Sequence, residues 1–202
     1  MLPDFYVCSS CHERFDFKFR EAYYYMGAAP LDKQIADADL LWVNVRPAWC
    51  KDCECVCVVE DIAPLRVFED AYGAARAGRP VEYPAYSEYM KAPDALRELG
   101  DQLRWRMGRR HAARALCCGG SRYQWMDVAQ PLLKHAQCDF GFIDSRVHIG
   151  SYCGPGPGVY APANIRLYDP EGELIGQLTW RKQDGRMWDI EPMRYPPPAA
   201  DD

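Results

Sequence analysis

An α+β fold is predicted for this 202-residue chain, and three observations predict it. Residues 1–64 hold short aromatic-rich segments, read as strands, and two Cys-x-x-Cys pairs. Residues 65–114 repeat their apolar side chains at helical spacing. Residues 115–202 alternate apolar and polar positions between glycines and prolines, the pattern of β-hairpins. The expected organisation is thus an N-terminal cysteine-bearing unit (1–64), a central helical pair (65–114) and a C-terminal β-hairpin region (115–202).

The bulk composition supports a folded core, with 49% of residues hydrophobic and 26% charged. The formal net charge is -5, so the chain as a whole has no attraction for phosphate backbones or anionic lipid. The opening Met1-Leu2-Pro3-Asp4-Phe5-Tyr6 has neither the basic nor the apolar part of a secretion signal. No uninterrupted apolar stretch reaches the roughly 18 residues of a membrane span. A cytoplasmic location is therefore expected, and in a reducing compartment paired cysteines more often ligate metal than form disulfides. The chain has 10 of them.

The N-terminal unit is defined by Cys8-Ser9-Ser10-Cys11 and Cys50-Lys51-Asp52-Cys53, with 38 residues between the pairs. Each pair sets two thiolates on a tight turn, and two pairs complete a tetrahedral sulfur shell. Zinc suits such a closed site because it has neither redox chemistry nor a d-electron preference, and iron could replace it in a foreign host. The expectation is one zinc ion on Cys8, Cys11, Cys50 and Cys53. Cys55 and Cys57 follow in alternation. They read as small apolar fillers on one face of a departing strand, with a larger metal cluster or ligand exchange as the alternative.

Cys8-x-x-Cys11, Phe15-Asp16-Phe17, Glu21, Tyr24-Tyr25 and Pro47-Ala48-Trp49-Cys50-x-x-Cys53 together resemble bacterial zinc-ribbon proteins of unassigned role. The resemblance covers mainly the first 65 residues. It implies a rubredoxin-like pair of knuckles on short strands and no particular activity.

In the central zone Leu65, Phe68, Ala71, Tyr72 and Ala75 lie at helical spacing, closed by Gly78-Arg79-Pro80. After a linker marked by Pro80 and Pro84, a second helix is expected near Pro93-Asp94. There Asp94 serves as N-cap and Leu96, Leu99, Leu103 and Met107 form the apolar stripe. Arg97, Arg104, Arg106, Arg109, Arg110, His111 and Arg114 make this stretch locally basic. It reads as a solvated helix face, or as a contact for phosphate with Trp105 stacking on a base.

In the C-terminal zone Asp169-Pro170-Glu171-Gly172 fits a type I turn between Ile165–Tyr168 and Leu174–Trp180. Leu174, Gly176, Leu178 and Trp180 are expected on one face, and Asp184-Gly185 signals a second hairpin. The 154–158 glycine-proline run reads as an exposed loop, and the proline-rich tail as extended. Arg114-Ala115-Leu116-Cys117-Cys118-Gly119 and Lys134-His135-Ala136-Gln137-Cys138 resemble a second ribbon in similar bacterial proteins. Cys118, His135 and Cys138 match its ligand positions, and Ala115 stands where its first cysteine would be. For the fourth position Cys117 is next in sequence, but adjacent cysteines rarely point the same way; Cys153 is the freer candidate, and a water could also fill it. Three readings stay open for this second site: a closed structural metal, no metal, and an open position holding water.

Asp144, Arg146 and His148 alternate, which would place a carboxylate beside an imidazole. No nucleophile elbow, phosphate loop, H-E-x-x-H or dinucleotide fingerprint accompanies them, and the triplet reads as a polar strand face. The leading expectation is a non-enzymatic zinc protein that binds another protein, for instance as inhibitor or immunity partner of a bacterial toxin. Tyr23, Tyr24, Tyr25, Tyr83, Tyr86 and Tyr89 are its candidate contact residues. The alternatives are nucleic-acid binding through the arginine helix, and a zinc enzyme built on Cys118, His135 and Cys138.

Overall fold

The computed structural model describes residues 5–16, 22–81, 92–126, 132–144, 165–181 and 187–192. Phe17, Glu21, Tyr83, Pro84, Tyr86, Tyr89, Arg146, His148, Cys153, the 154–158 and 184–185 segments and the tail at 196–202 lie outside them.

The chain is a mixed α+β structure. Its N-terminal strands are β1 (Phe5–Val7), β2 (Arg14–Asp16), β3 (Ala22–Tyr25), β4 (Gln34–Ala36), β5 (Leu40–Val43), β6 (Val45–Cys50) and β7 (Cys55–Glu60). Two helices follow, α1 (Leu65–Arg76) and α2 (Ala92–Gly108). Then come β8 (Tyr123–Trp125), β9 (Leu132–Lys134), β10 (Phe142–Asp144), β11 (Ile165–Tyr168), β12 (Leu174–Arg181) and β13 (Met187–Pro192). None of the described helices is long and apolar enough to cross a membrane.

Strands from the two ends of the chain share sheets. A six-stranded sheet runs β4-β13-β12-β11-β3-β5, with β3 and β11 parallel and every other pair antiparallel. A three-stranded sheet runs β7-β6-β8. The hairpins β1–β2 and β9–β10 meet through an antiparallel bridge between Cys8 and Ile143.

Alternation along the strands sorts side chains onto two faces of the large sheet. Tyr24 and Tyr168 stack on each other, ring centroids 5.5 Å apart, within the main core shared with Phe68, Leu99 and Trp105 of the helices. Leu167, Leu178, Trp188 and Ile190 form a separate cluster joined by the half-buried Tyr23 and Tyr25. Tyr24 is therefore a core residue rather than a contact residue.

The first helix buries Phe68 and Ala71 and ends in a Schellman cap. Arg79 N donates to Ala74 O (2.9 Å), and Gly78 adopts φ +64°, which costs glycine little. The second helix departs from expectation in two ways. It starts at Ala92, so Asp94 falls inside the first turn rather than at the N-cap. Its buried side chains are Ala95, Leu99, Gln102 and Trp105, while Met107 is 66% exposed. Trp105 has more apolar surface to bury than Met107, and its ring N–H finds Pro170 O at 2.9 Å, which rotates the helix toward it. Where the helices cross, the Tyr72 ring would stand 3.3 Å from any Cβ on Gly100, so the glycine permits the close approach.

A buried ion pair ties these layers together. Glu60, at the end of β7, accepts from Arg109 Nη2 (2.6 Å), from the Arg114 amide (2.9 Å) and from the Tyr24 hydroxyl. Burial, with the Glu60 carboxylate beside it, raises the Tyr24 pKa and keeps the phenol a donor. Arg109 also donates to Pro170 O in the β11–β12 turn (3.3 Å). That turn closes as expected, Gly172 N donating to Asp169 O at 3.0 Å.

Candidate metal centres

Four turns carry His135 and Cys8, Cys11, Cys50, Cys53, Cys117, Cys118 and Cys138, and three of them share one backbone design. In the first, Cys8 N donates to Glu13 O (2.9 Å) and His12 N to Cys8 O (3.1 Å). In the third, Ala115 N donates to Gly120 O (2.8 Å) and Gly119 N to Ala115 O (2.8 Å), the same pattern at the same offsets. The residue directly after the second cysteine is left-handed in all three turns: His12 at φ 58°, Glu54 at φ 50° and Gly119 at φ 71°. That conformation costs a non-glycine residue roughly 1–2 kcal/mol, so His12 and Glu54 need something at the turn to hold it. A metal between the thiolates would do so.

Two groups of four ligand atoms result, each with all its atoms within 4.8 Å of one another. Cys8 and Cys11 join His135 and Cys138, and Cys50 and Cys53 join Cys117 and Cys118. This corrects the expected grouping at several points. Cys8, Cys11, Cys50 and Cys53 do not converge on one shell, and Cys118 does not meet His135 and Cys138. Cys117 and Cys118, though adjacent, do converge, their sulfurs 3.9 Å apart and Cys118 Sγ 3.6 Å from Cys50 Sγ.

The physical reason lies in strand pairing. Ser9 N donates to Phe142 O (2.9 Å) and Ser9 Oγ accepts from Phe142 N (3.0 Å), so the first turn docks on β10. Pairing of β6 with β8 brings the third turn over the second, fastened by Lys51 N to Arg122 O (2.9 Å) and an Arg122–Asp52 ion pair.

The first centre is a three-cysteine, one-histidine set. His135 is buried, with Phe15 and Trp49 edge-on to its ring at 5.2 and 6.0 Å between centroids. Its Nδ1 faces Cys11 Sγ at 3.4 Å and its Nε2 faces Glu13 Oε2 at 3.4 Å. A carboxylate on the far nitrogen fixes the tautomer that presents a lone pair to a metal. Space is equally specific: a Cβ on Gly141 would overlap the Cys8 sulfur and stand 2.7 Å from Cys138 Sγ.

The second centre is a four-cysteine set on the opposite face of the same strand, since Trp49 and Cys50 are neighbours in β6. A Cβ on Gly120 would lie 3.2 Å from Cys118 Sγ. Cys53 N points at Cys50 Sγ (3.4 Å).

The electrostatics of both groups are compatible with a bound cation. Cys55 and Cys57, then Cys50 and Cys53, donate hydrogen bonds that hold the Cys117 thiol far below the ordinary range, against its burial. The cost falls on the donors. Hydrogen bonding to Cys117 and then burial raise Cys55 and Cys57, while burial chiefly raises Cys50 and Cys53. In the first centre Cys138 is lowered, chiefly by the Ser10 hydroxyl, while Cys11 is raised. Four crowded thiols cannot all ionise alone, and a divalent ion held by them would resolve the conflict by stabilising the thiolates together. Both donor sets fit a tetrahedral thiophilic ion.

The other candidates are satisfied by protein groups. Arg109 is buried against Glu60, Arg97 and Arg104 pair with Asp101, and Arg106 donates to Ala63 O (3.3 Å). Arg110 and His111 pair with Glu171, and Arg114 with Glu173. Each of these groups thus has a protein partner, with Arg97 and Arg104 sharing Asp101 and Arg110 and His111 sharing Glu171. One signal could have found Cys117 in the sequence: Cys118-Gly119 marks a knuckle whose first position, Ala115, needs a substitute thiol nearby. No protein-family model, curated protein or solved structure matches the chain.

Proposed function

We propose that the protein binds two zinc ions as structural staples and uses the surface they hold to bind another protein. The observation that supports this most is the pair of four-donor groups, each drawn from two distant chain segments. Four protein ligands complete the zinc shell and leave no position for a catalytic water. A ribbon-like pair of knuckles supplies each staple. The contact surface is assigned to the rim of the first centre, where Phe140 is 84% exposed beside the half-exposed Leu132 and Phe142. Phe140 lies between Cys138 and Gly141, so the metal that fixes those residues also fixes the ring. A cationic partner protein suits the net charge of -5, and a toxin held inactive would be one such partner. The pairing of the helix arginines with carboxylates speaks against nucleic acid as the partner.

Elemental analysis and native mass spectrometry test the metal reading. Two zinc ions per chain are expected, and one or none would overturn it. Affinity capture from native-source lysate tests the partner reading, with the wild type compared against Phe140→Ser at equal zinc content. One stoichiometric protein, lost from the variant, is expected. Capture of nucleic acid, or equal capture by both chains, would refute the assigned surface.

A further inference from the structure

The Cys50–Cys53 turn belongs to the second centre, yet the residues on either side of it both reach the first. Trp49, directly before Cys50, is buried with its ring edge-on to His135, the centroids 6.0 Å apart. Phe15 closes the same corner, 5.1 Å from Trp49 and 5.2 Å from His135. Glu54, directly after Cys53, accepts a hydrogen bond from Gln137 Nε2, and Gln137 stands directly before Cys138. Two ligands of one centre are thus bracketed by contacts to the turn that carries two ligands of the other. Neither contact supplies a donor atom to a metal.

We infer that the two centres fill cooperatively, each ion raising the affinity of the other because both hold this one junction in place. Glu54 is left-handed at φ 50°, a conformation unfavourable for any residue but glycine, so it persists only while the turn is held. When the Cys50–Cys53 turn relaxes, the Glu54 carboxylate leaves Gln137, and Trp49 loses the fixed strand end that presents it to His135. When the His135–Cys138 turn relaxes, the same two contacts break from the other side. The first ion to bind therefore meets the entropy of ordering the junction, and the second binds where that ordering is already done. Linkage makes the effect equal in both directions. The ring packing is buried whereas Glu54 and Gln137 are exposed, so most of the coupling falls to Trp49.

The inference rests on the zinc reading of both groups, and the experiment separates the two. Full-length protein is first assayed for zinc, and fewer than two ions per chain would sink the underlying reading. Cys11→Ser then disables the first centre and Cys118→Ser the second, each on a turn that carries none of Trp49, Glu54 and Gln137. Competition against a chromophoric chelator gives the affinity of the remaining centre in each variant, and both stepwise constants in the wild type. The product of the wild-type association constants, divided by the product of the two single-centre constants, is the coupling factor. A factor of about ten is expected, inside the ordinary range for coupled sites. With every ligand kept, Trp49→Leu in all three backgrounds should lower it to about two, and Gln137→Ala to about five. Should Trp49→Leu fail to fold, the wild-type factor and that of Gln137→Ala decide. A wild-type factor of one or less, or an undiminished factor in the folded variants, would overturn coupling through this junction while two zinc ions per chain remain.

Discussion

Gly141 and Glu13 do different jobs at the same histidine-bearing centre, and substitution separates them. At Gly141 the space for a methyl group is taken by the Cys8 and Cys138 sulfurs. Gly141→Ala must push one sulfur out of the shell, so we expect it to lose one zinc per chain and about 2–4 kcal/mol of stability. Elemental analysis with urea unfolding checks both. The Glu13 carboxylate meets the outer nitrogen of His135 and is itself about half exposed. Glu13→Gln should keep both zinc ions but weaken the first site by about tenfold, the low end for a residue that orients a ligand. Competition against a chromophoric chelator reads that change, and an unchanged affinity would deny Glu13 its orienting role. At this scale the sequence was legible for each ligand that sits in a Cys-x-x-Cys pair, because the spacing alone makes the turn. Cys117 was only hinted at, by Ala115 standing in the first knuckle position, because its place depends on how the third turn lies against Cys50 and Cys53.

The elements are joined by carboxylates, and each junction makes its own prediction. Glu60 and Arg109 are fully buried side chains that link β7, the end of α2 and the β11–β12 turn. Glu60→Ala leaves the guanidinium without its partner, and a cost of about 3–5 kcal/mol in denaturant unfolding is expected. Glu171 fastens the same turn to the chain beyond α2. Burial alone would raise its pKa, but His111 Nδ1 at 2.6 Å and the amides of Arg110 and His111 outweigh it, bringing it down to about 2. A depressed carboxyl stabilises the fold at pH values above its unfolded pKa of about 4.3, and the benefit fades as pH falls toward the folded value. The stability gap between wild type and Glu171→Gln should therefore be full at pH 6 and smaller by pH 3; a gap that stays constant would remove Glu171 from the acid response. Helical periodicity revealed α1 and α2, and the proline-glycine turn revealed the hairpin at 169–172. The buried stripe of α2 was misplaced because counting apolar positions treats Met107 and Trp105 alike, whereas their areas and the indole N–H do not.

Across the whole molecule the cysteine turns pair in a nested order, first with fourth and second with third. Four half-sites can join in three ways, and spacing along the chain favours sequential pairing of the first two. The nested order follows from long-range strand pairing, β6 with β8 and the first turn with β10, which local periodicity does not encode. It also predicts how the molecule comes apart. The hairpins β1–β2 and β9–β10 have strands of only three residues each, and two-stranded ribbons of that size are marginal in water. Their junction lies at the first centre, whereas β11, β12 and β13 sit in a six-stranded sheet with its own cluster at Leu167, Leu178, Trp188 and Ile190. Cys138→Ser should thus leave one zinc per chain and release the amides of Cys8, His12 and His135 to rapid hydrogen exchange, while those of Leu178 and Ile190 keep their protection. Loss of protection throughout both regions would mean that the first metal supports the entire fold. Retained protection at His12 and His135 would mean that packing of Phe15 and Trp49 on His135, rather than a metal, holds the hairpins together.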